Sequence, residues 1–251
     1  MDDGLVLEEV GVRFGGLRAV EAVSIRVPAG QRRAIIGPNG AGKTTLFNAI
    51  TGVVRASSGR VLLEGRDVTR LPVHARAHRG MGRTFQITNL FPRLTVMENM
   101  RLALRGLSPR RFSILGRDGL DREEAGRIEA ALALSRLSGR LDQEVRALSY
   151  GEQRQLEMAM ALATRPRLLL LDEPAAGLSP SERVIVSDII RSLPRTMTVV
   201  LIEHDMDLVL SLVDWVTCLN NGRLLVEAAP DDIRTDPQVQ EVYLGKARHD
   251  A

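Results

Sequence analysis

The sequence predicts an α/β fold built on a mostly parallel sheet, with a helical lobe inserted into it. Three observations carry that expectation. Leu168–Leu171 and Val199–Ile202 are continuously apolar, as parallel strands covered on both faces require. Strand-like and helix-like segments alternate at both ends of the chain, the pattern of an α/β core. Between them, from Thr95 to about Thr164, the pattern is helical throughout.

In chain order, Leu5–Val10, Ser24–Val27 and Arg33–Ile36 read as short strands, with turns around Gly15-Gly16 and Pro28-Ala29-Gly30. A helix is expected from about Lys43 to Thr51, with Leu46 and Ile50 on one face, and Val61–Leu63 is another short strand. The lobe holds helices over Met97–Leu104, Glu123–Leu137 and Gly151–Ala163. Alternation then resumes: strand Leu168–Leu171, helix Ser181–Arg191, strand Thr198–Ile202, helix Met206–Leu212, and strands near Val216–Leu219 and Leu224–Glu227.

Bulk properties exclude several classes. At 251 residues the chain can bury a substantial core. No apolar run approaches the ~20 residues that span a bilayer, and residues 1–30 show no secretory signal pattern. The single cysteine, Cys218, forms no intrachain disulfide and reads as a buried thiol. The net charge of +3 is spread among interleaved acids and bases, and the eight aromatic residues form no basic-aromatic platform, which argues against a nucleic-acid partner. Arg105–Arg117 holds four arginines and no acid, and reads as a solvated loop.

The chemistry concentrates at three places. Gly37, Pro38, Asn39, Gly40, Ala41, Gly42, Lys43, Thr44 and Thr45 fit the phosphate-loop pattern between an apolar strand and a helix. Its glycines let backbone N–H groups turn inward as an anion nest. Lys43 would reach the β- and γ-phosphates of a nucleotide, and the Thr44 hydroxyl would ligate Mg²⁺. Only two of the 34 basic residues are lysines, so Lys43 escapes a strong bias toward arginine, whose planar fork does not fit such a loop. Asp172 and Glu173 end the leucine strand at the sheet edge that faces ligands. Asp172 would hold Mg²⁺, and Glu173 would orient and deprotonate an attacking water. His204 follows another apolar strand and should emerge at the same edge, within reach of a γ-phosphate. Finally, Ser149 and Glu152 form a capping box that opens a helix, with Gly151 leaving room for a phosphate at its positive end.

Together, and in this order, these residues resemble the ATP-binding cassette (ABC) family of transport ATPases over essentially the whole chain. The resemblance implies one domain over 5–246: a P-loop NTPase core (5–86 and 165–235) with an antiparallel β subdomain, a helical subdomain at about 87–164 and a tail at 236–251. It implies that Phe14 stacks on adenine with Val20 nearby, that Gln86 senses Mg²⁺ and the membrane partner, and that His204 is the switch histidine. Leu148–Gln153 matches the family signature, with Tyr150 where glycine is usual. After Glu173 the usual serine-alanine-leucine-aspartate is replaced by Ala176-Gly177-Leu178-Ser179, where Ser179 and Glu182 form a capping box around Pro180. The implied mechanism is a head-to-tail pair of cassettes with ATP sandwiched between them, so Ser149 and Gly151 serve the opposite molecule's site.

Within the family, Arg83–Gln86 with Leu90-Phe91-Pro92, Ala175–Leu178, Ile202–Met206 and the closing Glu241–Gly245 are similar to the ATPase subunit of high-affinity branched-chain amino acid importers. ATPases of urea uptake and lipopolysaccharide export share the Tyr-Leu-Gly ending and stay open as alternatives. The likeness implies a second ATPase subunit, in a heterodimer rather than a homodimer, two membrane permease subunits and an external binding protein. It places the chain peripherally on the cytoplasmic face of the inner membrane. A soluble ABC ATPase acting on ribosomes or DNA would carry tandem cassettes or a coiled-coil insertion, and no sustained heptads occur between Gln86 and the signature.

Overall fold

The computed structural model describes residues 3–84, 90–106 and 121–244, and the chain forms two compact units. The first comprises Met1–Met81, Arg167–Glu173 and Pro194–Ala251; the second comprises Gly82–Pro166 and Pro174–Leu193.

The first unit contains an antiparallel sheet of β1 (Asp3–Phe14), β2 (Leu17–Pro28), β4 (Ser58–Leu63) and β5 (Arg66–Asp67), in the order β2-β1-β4-β5. β1 and β2 form a hairpin across Gly15-Gly16, with Gly15 at φ 58°. A second sheet has parallel strands β3 (Arg32–Ile36), β7 (Leu168–Asp172), β8 (Thr198–Ile202) and β9 (Trp215–Asn220). Its order is β10-β9-β3-β8-β7-β6, with β10 (Arg223–Ala228) antiparallel at one edge and the short β6 (Met81–Arg83) at the other. Every residue of β3, β7 and β8 is buried, as the unbroken apolar runs require.

Helix α1 (Lys43–Thr51) sits in one hydrophobic cluster with both sheets. Leu46, Phe47 and Ile50 join Leu7 and Ile25 of the antiparallel sheet and Leu170, Val200 and Ile202 of the parallel one. Each such side chain contributes roughly 1.5–3 kcal/mol on burial, so α1 and the loop before it are firmly placed. Short α2 (Val73–Ala77) supplies Arg76, whose buried guanidinium donates to the carbonyls of Ala49 and Ile50 in the last turn of α1 and of Thr69 and Leu71. Three more helices belong to this unit: α7 (Met206–Leu210), α8 (Pro230–Thr235) and α9 (Pro237–Leu244).

The second unit is helical. α5 (Tyr150–Ala163) packs against α3 (Val96–Arg105) and α4 (Arg122–Leu134), with 3₁₀ turns at Ser138–Arg140 and Val145–Ala147, and α6 (Pro180–Ser192) completes it. α3, α4, α5 and α6 each open with a complete capping box, at Thr95, Asp121, Ser149 and Ser179. Two of the free N–H groups at each helix start are thereby satisfied reciprocally.

The expected architecture is present, with shifts at element ends. β1 and β2 are twelve residues each, longer than Leu5–Val10 and Ser24–Val27. Ladder irregularities between Leu7 and Val12, with Glu9 at φ 48°, carry β1 past the point where simple alternation stops. α4 stops at Leu134 rather than Leu137 because Arg136 turns left-handed at φ 59°. α7 ends at Leu210 rather than Leu212. The compact units also divide the chain differently from a helical block at 87–164: Pro174–Leu193 groups with the helices, and the segment after 236 begins with α9. Gln86 and most of Arg105–Arg117 lie outside the described residues.

Candidate functional site

β3 delivers the chain at its carboxyl end into Gly37–Gly42, and α1 starts at Lys43. Gly37 is at φ 146°, and a Cβ there would lie 2.2 Å from the Leu219 carbonyl oxygen. Gly42 caps α1 in the left-handed region at φ 96°, where a Cβ would lie 2.6 Å from the Ala19 carbonyl oxygen. Glycine is therefore required at both ends of the loop by backbone packing, before any ligand is considered. The Lys43 ammonium donates to the carbonyls of Gly37 at 2.6 Å and Pro38 at 3.0 Å, curling over the loop it follows.

This loop lines a cleft of roughly 550 Å³ together with Phe14, Leu17, Arg18, Ala19, Glu173, Asn221 and Gly222. Of the residues picked out from sequence, Phe14, Asn39, Gly40, Ala41, Gly42, Lys43, Thr44, Thr45 and Glu173 face it together. Phe14 is half exposed, an apolar plate left bare at the cleft wall. Val20 does not line the cleft: its side chain is buried in the core beneath Gly42, and Leu17, Arg18 and Ala19 form that wall instead. Gly37 and Pro38 lie at the base of the loop rather than on the cleft surface.

Asp172 closes β7 opposite Ile202 of β8 and is almost wholly buried. The next residue, Glu173, turns to φ 47° while its N–H still donates to the Ile202 carbonyl at 3.0 Å. A glutamate in the left-handed region is a strained choice, and such strain concentrates at functional positions. Here the turn takes Glu173 out of the sheet and into the cleft wall. His204 emerges two residues beyond the end of β8, with 61% of its side chain exposed, but it is not part of the cleft wall. Its Nδ1 lies 3.7 Å from the buried Glu203 carboxylate.

The other predicted anion site belongs to the helical unit. Ser149 Oγ accepts the Glu152 N–H at the start of α5. The Gly151 N–H donates to Glu182 Oε1 at 3.2 Å, and a Cβ on Gly151 would lie 2.3 Å from that oxygen. The glycine thus makes room first for a carboxylate of its own chain. Glu182 also accepts the Ser179 N–H and hydroxyl, and these hydrogen bonds hold its carboxyl below the ordinary value. Tyr150 stacks near the guanidinium of Arg154, 5.4 Å from ring centre, and receives its hydrogen bond at 3.1 Å.

Sequence reasoning missed the opposite wall of the cleft. Asn221 and Gly222 form the β9–β10 turn, with both residues at positive φ. The Gly222 N–H donates to the Ala41 carbonyl, and its own carbonyl accepts the Glu21 N–H, tying the turn to the loop and to β2. An Asn-Gly pair between strands is a strong hairpin signal and could have been read. The structure also brings the Tyr243 hydroxyl to 2.7 Å from the Gly37 nitrogen, a contact with no local sequence signal.

A glycine loop between a buried parallel strand and a helix, with an acidic pair ending the second strand over, defines a phosphate-loop nucleoside triphosphatase. The ABC transporter family pattern matches residues 20–176, and the pattern named for branched-chain amino acid ATP-binding cassette transporters matches residues 223–249. The chain belongs to the ABC transporter family, as one of its ATP-binding, ATP-hydrolysing subunits. It is 40% identical to the high-affinity branched-chain amino acid transport ATP-binding protein BraF of Pseudomonas aeruginosa, across 96% of this chain and 98% of that one. It is 39% identical to the LivG protein of the same description from Escherichia coli, across 94% and 95%. Among solved structures it is similar to an ATP-binding cassette of an ABC transporter in its ADP conformation, with TM-score 0.85 and 32% identity over 98% of this chain and 99% of that one.

Proposed function

We propose that this chain powers an importer for branched-chain amino acids, hydrolysing ATP at the cleft between its phosphate loop and Glu173. The observation that supports the site is the convergence of the loop residues Lys43 and Thr44 with Glu173, far away in sequence, on one cleft that also carries the exposed Phe14 ring. In this reading Phe14 stacks on adenine, and the loop amides with Lys43 hold the phosphates. Glu173 accepts the proton of the attacking water. His204 attends the γ-phosphate from beyond the end of β8, and Gln86 senses Mg²⁺ and the membrane partner.

The available donors suit Mg²⁺. Thr44 offers an exposed hydroxyl and Asp172 a buried carboxylate, both hard oxygen ligands, and Gln86, outside the described residues, would supply a third. Among the described residues no group of three or more His, Cys, Asp or Glu forms a dedicated metal cage, and Mg²⁺ held partly by nucleotide phosphates needs none. When bound, the ion would offset phosphate charge.

Ser149 and Gly151 then complete the site of a second ATPase subunit, in a heterodimer. Two permease subunits carry the substrate path, and an external binding protein delivers the substrate. Among the described residues no helix is long and apolar enough to cross a membrane, which fits a peripheral subunit on the cytoplasmic face. The substrate rests on kinship: the amino acid transport ATPases named above align over nearly their full length. Reconstitution into vesicles with its permeases and binding protein tests it. The expected result is ATP-dependent uptake of labelled leucine, isoleucine or valine. ATP hydrolysis with uptake of none of them overturns the substrate.

A further inference from the structure

Tyr243, near the end of α9, reaches the first glycine of the phosphate loop. α9 is anchored at its start, where Asp236 Oδ1 accepts the N–H groups of Gln238 and Val239 at 2.9 and 3.0 Å. Val239 is 3% exposed, and Tyr243 follows one helical turn later on the same face. Its ring projects the hydroxyl to the Gly37 N–H, which donates to it at 2.7 Å.

That contact grips the loop at a particular place. The Gly37 N–H is held by Tyr243, and the Gly37 carbonyl accepts from the Lys43 ammonium at 2.6 Å. Both peptide planes of Gly37 are therefore fixed, one by α9 and one by the loop's own cation. Pro38 follows and has no N–H to offer, so Gly37 carries the last amide before the loop turns at Asn39 and Gly40. A glycine at φ 146° has wide conformational freedom, and a buried amide left without an acceptor would rotate toward another. Burial pushes the Tyr243 hydroxyl up to about 12, so it stays a neutral phenol across physiological pH.

We propose that Tyr243 is a positioning residue of the nucleotide site: by accepting the Gly37 N–H it sets the start of the phosphate loop, making α9 part of the nucleotide-binding machinery. It touches no nucleotide. Its effect falls on how well the loop is preorganised to meet phosphate, and so on affinity. The inference rests on Gly37–Thr45 being the phosphate cradle.

The test is fluorescence titration of mant-ADP against the purified full-length chain, its Tyr243→Phe variant and two controls. Tyr243→Phe keeps the ring and removes only the acceptor. One lost hydrogen bond corresponds to about a threefold to tenfold weakening of binding. Val239→Ala loosens the same helix without touching Gly37, and Lys43→Ala tests the cradle itself. The proposal expects Tyr243→Phe to weaken mant-ADP at least twofold and by more than Val239→Ala does. Binding by Tyr243→Phe within twofold of the parent, or a loss no larger than that of Val239→Ala, overturns it. If the parent fails to bind, or Lys43→Ala binds as the parent does, the cradle assignment fails instead.

Discussion

Gly37 shows how much of the site is decided by backbone contact. An alanine there would place its Cβ 2.2 Å from the Leu219 carbonyl oxygen, at a φ of 146°. Something must shift, and the affected backbone belongs to a strand paired with β3. We expect Gly37→Ala to cost roughly 2 kcal/mol of stability, a drop of several degrees in melting temperature, and to weaken nucleotide binding. Calorimetry with and without ADP checks both. The role of this glycine was legible in sequence because the phosphate-loop pattern is local: nine consecutive residues between a strand and a helix. Lys43 and Thr44 were legible for the same reason. Glu173 was legible as an acid at a strand end, although its left-handed backbone was not. Tyr243 lies 206 positions from its contact, so no periodicity or spacing could connect the two. Val20, expected near the adenine ring, has its side chain buried in the core, while the preceding Leu17, Arg18 and Ala19 line the cleft.

At the scale of elements, helix ends carry much of the design. Arg76 satisfies carbonyls in the last turn of α1, from a helix of only five residues. Arg76→Ala should destabilise the first unit by roughly 3 kcal/mol, since it strips charged hydrogen bonds from several buried acceptors. Thermal melting of the variant measures this, and an unchanged midpoint contradicts it. The four capping boxes of the helical unit follow from local spacing and were partly readable from Ser149 and Ser179. The link between two of them was not, because Glu182 leaves its own helix to reach Gly151. Its carboxyl sits below the ordinary value of 4.5, led by the Ser179 hydroxyl. The sign follows from linkage: the stabilisation is present above that ordinary value and is lost as pH falls through the lower folded-state value. The protection of the Gly151 amide against hydrogen exchange, relative to its intrinsic rate, should therefore fall as the pH drops below the ordinary carboxylate value. Glu182→Gln should flatten that response, and an identical profile in the two proteins rules out the carboxylate as its source.

At the scale of the whole molecule, the fold class was legible because it depends on unbroken apolar runs and on alternation, both of which survive errors of a few residues. The grouping of α6 with the helices was less legible, since its sequence continues the strand–helix alternation of the core while its contacts run to α5. Among the described residues, one cleft is lined by the phosphate loop, Glu173 and the exposed Phe14 ring, and the helix start at Ser149 has a glycine amide that faces an anion of its own chain. In the proposed pair of cassettes a partner's phosphate would compete for that helix start, so Ser149 and Gly151 would contribute to turnover only after assembly.

In the proposed mechanism Glu173 performs the chemistry while Lys43 and the loop perform the binding. Steady-state ATP hydrolysis by Glu173→Gln in the assembled transporter, measured beside ATP binding by the same preparation, separates these two roles. Turnover should fall at least about a hundredfold below the parent, with ATP still bound and the paired cassettes accumulating in that state. Hydrolysis at the parent rate would contradict it and remove Glu173 from the role of base.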